Sequence, residues 1–78
     1  MLTAAQIRAA RALLDWSQKQ LSEKSKLSVP TIKRMESRVG PDRSTEVNVD
    51  AVRRTLETAG VVFLDPSKEG GAGVRFKK

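Results

Sequence analysis

The feature that most constrains this chain is a pair of serines eleven residues apart, Ser17 and Ser28, each followed by a stretch of helix-forming residues. A serine hydroxyl accepts a hydrogen bond from a free N–H in the first turn of a helix, so each serine predicts a helix start. Because Pro30 has no N–H, the hydroxyl of Ser28 is expected to bond to Thr31. Starts this close predict two helices of about two turns each, joined by a tight turn.

The same start signal occurs four times: an apolar residue, then Ser, Thr or Asn, then three residues, then another apolar residue. The polar residue caps the helix, and the two apolar residues pack together as a hydrophobic staple. Gln6 and Gln20, three residues after the first two caps, complete capping boxes. The predicted caps are Thr3, Ser17, Ser28 and Asn48. The predicted helices cover about residues 4–14, 18–25, 29–37 and 49–59, and Gly60 ends the last of them.

After Gly60 the chain changes to short apolar segments, VVFLD over 61–65 and GVRFKK over 73–78, with a glycine-containing turn between them. This pattern predicts a β-hairpin. The expected fold is mainly α: a small four-helix domain over residues 1–60, followed by a C-terminal β-hairpin over residues 61–78. Six apolar strand residues are candidates for a dimer interface, namely Val61, Val62, Phe63, Leu64, Val74 and Phe76.

A lone two-stranded hairpin is only marginally stable in water, so these strands need something to pack against. One alternative is that they pair with a second chain and form an intermolecular sheet across a two-fold axis. The other is that the hairpin folds back over the fourth helix of its own chain. We favour the dimer, and the sequence leaves both open.

The composition argues for a polyanionic partner and against an enzyme. A net charge of +6 on 78 residues favours nucleic acid, and an anionic membrane surface after it. No apolar run is long enough to predict a transmembrane helix, and the acid-poor start is interpreted as a core helix rather than a signal or transit peptide. With no His, Cys or Tyr, the usual general bases and nucleophiles are missing. We therefore expect no catalytic site, metal or cofactor.

The predicted helix over residues 29–37 carries the cations Lys33 and Arg34, as expected for a helix that binds DNA. The major groove of DNA is about 12 Å wide and admits one α-helix. Arg and Lys pair with guanine there, and Val contacts the thymine methyl group. The alternative is that these cations only solvate an amphipathic helix. The predicted base contacts are Val29, Pro30, Lys33 and Arg34, and the predicted phosphate contacts are Gln18, Ser28, Thr31, Ser37, Arg38 and Arg43.

The chain carries four short motifs in order: Arg11, then Trp16-Ser17-Gln18 with Leu21, then Leu27-Ser28 with Thr31-Ile32, then Arg34-Met35-Glu36. Together these motifs resemble the Xre/Cro-type helix-turn-helix family of bacterial and phage repressors. The resemblance implies a cytoplasmic, nucleoid-associated homodimer, bacterial or phage, that regulates transcription as a repressor on a pseudo-palindromic operator in double-stranded DNA. By matching positions, the resemblance implies that Val29, Pro30, Lys33 and Arg34 read bases. It also implies a structural ion pair between Arg11 and Glu36.

Three features depart from the family pattern. Lys26 stands in the turn where the family usually has glycine, Ser22 replaces a common alanine, and the predicted hairpin stands in the place of a fifth helix. The hairpin supports an alternative function as a protein-interaction module, such as an antitoxin or adaptor that adds a strand to the sheet of a protein partner.

Overall fold

The computed structural model describes residues 2–38, 40–41, 44–68 and 70–77. Within these residues the chain forms four helices followed by an antiparallel hairpin, so the expected fold class is confirmed. The elements are α1 (Ala4–Leu14), α2 (Gln18–Ser25), α3 (Val29–Met35), α4 (Glu46–Thr58), β1 (Val61–Leu64) and β2 (Gly73–Phe76). None of the helices in the described ranges has the length and apolar character needed to cross a membrane.

The first three helices begin at their predicted caps. Thr3 and Ser17 each accept a hydrogen bond from the N–H of a glutamine three residues later, whose side chain bonds back to the N–H of the cap. The Ser28 hydroxyl accepts a bond from the N–H of Thr31 at 3.3 Å, as the missing N–H of Pro30 requires. The third helix ends two residues earlier than predicted, with its C-cap at Glu36.

The predicted start of the fourth helix is wrong. α4 begins at Glu46 with Thr45 as its cap, and the Thr45 hydroxyl accepts a hydrogen bond from the N–H of Asn48 at 3.2 Å. Asn48, the predicted cap, therefore lies inside the first turn. Val47, the predicted staple residue, is 78% exposed. The carboxylate of Glu46 favours the earlier start, because a negative charge in the first turn interacts well with the helix dipole.

One apolar core joins the helices to the hairpin, with β1 packed on α4 and β2 on α1. Val61 and Phe63, two of the six dimer-interface candidates, lie in this core at 2% and 9% exposure. These two residues therefore pack within their own chain and not against a second one, and a dimer contact through Val62, Leu64, Val74 and Phe76 stays a prediction. The functional division of the chain at residue 60 stays a prediction. The core consists of Leu2, Ile7, Ala10, Leu21, Ile32, Met35, Val52, Leu56, Val61 and Phe63.

Gln6 connects the start of α1 to both strands of the hairpin. Its side-chain oxygen accepts a hydrogen bond from the N–H of Thr3 at 2.9 Å. Its amide nitrogen donates to the carbonyls of Leu64 at 3.1 Å and Gly73 at 2.9 Å, which are cross-strand partners. Gln6 is only 4% exposed, so these bonds satisfy a buried amide. The sequence predicted the capping box of Gln6, but not its bonds to the hairpin.

The turn between α2 and α3 has a left-handed backbone at Lys26, with φ of 66°. A side chain with a Cβ costs about 1 kcal/mol in this conformation. We therefore expect Lys26→Gly to raise the free energy of unfolding by up to about 1 kcal/mol. Lys24→Gly, in the last turn of α2, is the matched control and should lower it by about 0.5–1 kcal/mol. Urea unfolding followed by circular dichroism measures both, and a loss of stability in both variants would contradict the expectation.

Candidate nucleic-acid interface

One side of α3 is buried and the opposite side is exposed. Ile32 and Met35 are 0% exposed, as their spacing predicts. Pro30, Lys33 and Arg34 are exposed. Val29, the remaining predicted base contact, is half-buried. Neither of the two cations forms an ion pair with a described residue, so their donors face solvent.

The turn before α3 is closed by a side chain. The hydroxyl of Ser22 donates a hydrogen bond to the carbonyl of Leu27. Ser25 is buried beside it, and its hydroxyl donates to the carbonyl of Ser22 at 3.4 Å. Ser22, which departs from the family's alanine, thus makes a bond that alanine cannot make, and it helps to set the angle between α2 and α3.

At the end of α3, the carboxylate of Glu36 receives three hydrogen bonds from side chains. Arg11 donates two of them, Nε to Oε2 at 2.7 Å and Nη2 to Oε1 at 2.8 Å. Gln18 donates the third from its amide nitrogen to Oε1 at 3.1 Å. The side chain of Glu36 is 2% exposed and that of Arg11 is 20% exposed. The predicted Arg11–Glu36 ion pair is therefore present, two-pronged and largely buried.

The ion pair connects α1 to the C-terminal end of α3. The hydrogen bonds to Glu36, with its negative charge, raise the pKa of Arg11 above its ordinary value although partial burial opposes the shift, so Arg11 stays charged at any working pH. Arg11 also donates to the carbonyl of Trp16 at 2.9 Å. Arg8 donates to the backbone carbonyl of Glu36, a contact that sequence reasoning missed. The sequence did contain a signal for this contact, because Arg8 and Arg11 are three residues apart and therefore lie on one side of α1.

Three of the predicted phosphate contacts lie at the starts of α2 and α3. Ser28 and Thr31 are linked through their hydroxyl oxygens at 2.8 Å. Gln18 is half-buried, and its bond to Glu36 fixes the direction of its amide. These side chains are therefore held in place before any ligand binds.

The other predicted phosphate contacts follow α3. Ser37 is exposed and its hydroxyl donates to the carbonyl of Arg34 at 2.6 Å. Arg38 is exposed next to it. Arg43 lies outside the described residues.

This arrangement of two capped helices, a tight turn and an exposed basic second helix defines a helix-turn-helix domain. A family model described as helix-turn-helix matches residues 7–45, which is half of the chain. The chain belongs to this family of Xre/Cro and phage-repressor-type helix-turn-helix domains. It is thus a DNA-binding domain of the regulator type, in a family of regulators rather than enzymes. Comparison with curated proteins finds no match for the chain.

Proposed function

We propose that this protein is a sequence-specific repressor of transcription that reads operator DNA with α3. The observation that carries the proposal is the pair Lys33 and Arg34, which are exposed and have no ion-pair partner among the described residues, on a helix whose other side is buried. An α-helix with its side chains is about 10–12 Å in diameter, which fits a major groove about 12 Å wide, so α3 can lie in the groove. Its cations would then lie against the donor and acceptor groups of the bases.

The chemistry of the exposed side supports base reading. A guanidinium group makes two parallel hydrogen bonds to O6 and N7 of guanine, and an ammonium group also donates to these atoms. Residues at the start of a recognition helix contact base edges, which gives Val29 and Pro30 apolar contacts such as the thymine methyl group. Base reading is therefore assigned to Val29, Pro30, Lys33 and Arg34.

Phosphate contacts on both sides of the groove would set the register of α3. The amide nitrogen of Gln18 carries two N–H groups, and one of them remains for a phosphate oxygen after the bond to Glu36. Arg38 is exposed just after α3, and its exposure supports a contact with a phosphate of the opposite strand. The full set proposed to contact phosphates is Gln18, Ser28, Thr31, Ser37, Arg38 and Arg43.

Arg34→Ala should weaken binding to the operator by about 1–3 kcal/mol, or roughly 5- to 150-fold in Kd, and relax the preference at one base position. The operator is first obtained by selection from random duplex DNA with the wild-type protein. Fluorescence anisotropy then measures binding to the selected and to a scrambled duplex. Arg38→Ala is the matched control, because loss of a phosphate contact should weaken both duplexes alike and reduce the salt dependence by about one ion. Equal losses on both duplexes for Arg34→Ala would overturn base reading by this residue.

We further propose that the protein, of bacterial or phage origin, acts in the cytoplasm as a homodimer on a pseudo-palindromic operator. Recognition helices that enter successive major grooves on one side of DNA require half-site centres about 10 bp apart. The net charge of +6 supports association with the nucleoid. The selection above tests the dimer too, since a two-fold symmetric motif is expected and a single unpaired half-site would contradict it.

A second candidate function is that of an antitoxin or adaptor that binds a protein partner by strand addition. The observation that favours it is the exposure of β2, where Arg75 and Phe76 face solvent. Affinity capture with the full chain, compared with a variant altered on β2, distinguishes it. A partner retained equally by both would exclude strand addition.

A further inference from the structure

The backbone groups at the outer edges of the hairpin can be identified from one hydrogen bond. The N–H of Lys77 donates to the carbonyl of Gly60 at 2.8 Å, and the two residues are in register. They form a hydrogen-bonded pair, and such pairs alternate along an antiparallel ladder. The backbone N–H and C=O groups of the intervening pairs, at residues 61, 63, 74 and 76, therefore point away from the hairpin.

One of these edges is covered and the other is open. On β1 the outward groups are covered, because Val61 and Phe63 are 2% and 9% exposed. On β2, Phe76 is 43% exposed and Val74 is half-buried. Within the described residues, the bond made to the outward groups of β2 is that from the Arg75 side chain to the carbonyl of Phe76, at 3.0 Å. An open edge of this kind is a template for another strand.

We propose that β2 pairs antiparallel with β2 of a second copy of this chain, which forms a four-stranded sheet in the order β1-β2-β2-β1 across a two-fold axis. The inference rests on the proposed function, which requires a homodimer. Two identical edges that pair antiparallel are related by a two-fold axis, so the contact closes at the dimer. It is also the symmetry of a pseudo-palindromic operator.

Three registers place a central residue of β2 on the two-fold axis, namely Val74, Arg75 or Phe76. Repulsion between like charges disfavours two of them. With Arg75 on the axis, the two Arg75 side chains would face each other directly. With Phe76 on the axis, Arg75 would face Lys77 of the partner subunit. Like charges directly opposite each other destabilise a strand pair, so neither register is favoured.

The register with Val74 on the axis avoids these contacts. Arg75 then faces Gly73 of the partner subunit, which has no side chain to oppose it. Phe76, which is 43% exposed in the protomer, comes to lie beside Ala72 of the partner subunit. The amide of that alanine would replace the protomer's own Arg75 as the donor to the carbonyl of Phe76. This register therefore covers the apolar end of β2 and keeps the cations apart.

Gly73 is the position that tests this contact. A Cβ there would meet Cδ1 of Leu64 at 3.8 Å, an ordinary contact, so side chains are accommodated. In the proposed register they would face Arg75 of the partner subunit, twice per dimer. Gly73→Glu should therefore tighten the dimer and Gly73→Lys should weaken it, each by about 2- to 30-fold in dissociation constant. Sedimentation equilibrium of the full chain measures both, and thermal unfolding checks that both fold.

A charge swap tests the register itself. Gly73→Lys combined with Arg75→Glu should restore a dimer at least as tight as the wild type, because the new lysine faces the new carboxylate of the other subunit. With Arg75 on the axis, the same double variant would exchange one like-charge pair for another at residue 75 and would bring the new lysine opposite Lys77 of the partner subunit, which should weaken the dimer. Shifts of the same sign for Gly73→Glu and Gly73→Lys, or a weakened double variant, would overturn the proposal.

The outcome separates this inference from the proposed function. If the chain stays monomeric up to roughly 1 mM, the proposed contact between two copies of β2 is overturned. This holds even if a different protein adds a strand to β2. If that monomer still selects a DNA motif that depends on Arg34, base reading by α3 stands. A β2 dimer that selects no motif supports the contact and overturns the function proposed for α3.

Discussion

Arg11→Met is expected to lower the free energy of unfolding by about 3–5 kcal/mol, a large part of the stability of a domain this small. The substitution keeps much of the side chain's length but removes both hydrogen bonds to Glu36, at 2.7 and 2.8 Å. Among the described residues, the carboxylate of Glu36, whose side chain is 2% exposed, would keep Gln18 as a side-chain donor but no ion-pair partner. A charge left buried in this way costs more than the pair itself contributes.

Urea unfolding of the wild type and three variants measures this effect. Arg54→Met is the matched control, because Arg54 pairs with Asp50 at 2.9 Å while the two side chains are 78% and 50% exposed. Such an exposed pair should contribute less than about 0.5 kcal/mol. The double variant Arg11→Met with Glu36→Leu should recover much of the loss, since no buried charge is left. A loss no larger in Arg11→Met than in Arg54→Met would show that the pair does not hold α1 to α3.

Phe63→Ala is expected to lower the free energy of unfolding by about 3–5 kcal/mol, the usual cost of removing a buried phenylalanine. Phe63 is 9% exposed between the hairpin and α4, and the guanidinium of Arg53 lies 5.7 Å from the centre of its ring. Truncation to alanine would leave a cavity where the hairpin meets the helices. The expected loss follows from the hairpin being part of the core.

Phe76→Ala is the matched control for this prediction. It removes the same side chain from the same hairpin, but at a position that is 43% exposed. We expect a loss below about 1 kcal/mol, measured by urea unfolding at low protein concentration so that dimer formation does not add to the stability. Equal losses in the two variants would contradict a specific role of β1 in the core.

The first three helices could be predicted from local chemistry alone. Each begins at a serine or threonine whose hydroxyl accepts a hydrogen bond from a free N–H of the first turn. This bond is local and does not depend on the rest of the fold. The ion pair between Arg11 and Glu36 was also predicted, but only through the resemblance to the family, because helical spacing does not relate two residues on different helices.

The start of α4 and the position of the hairpin could not be predicted in the same way. Thr45 and Asn48 are both good caps, and the apolar pair around Asn48 favoured the wrong one. Alternation along β1 predicts which side chains share a side of the strand, but not whether the covering surface belongs to the same chain or to another. The bonds from Gln6 to Leu64 and Gly73 span 58 and 67 residues, and a local pattern carries no such signal.

The bonds made by Gln6 have a consequence for biosynthesis. Its second strand partner, Gly73, is synthesised 67 residues later, which at about 5–20 residues per second is a delay of roughly 3–13 s. During this time α1 exists without the strand that later packs against it, so its apolar side chains lack that part of their cover. The last strand therefore completes the environment of the first helix, and the domain reaches its full stability only after β2 has emerged.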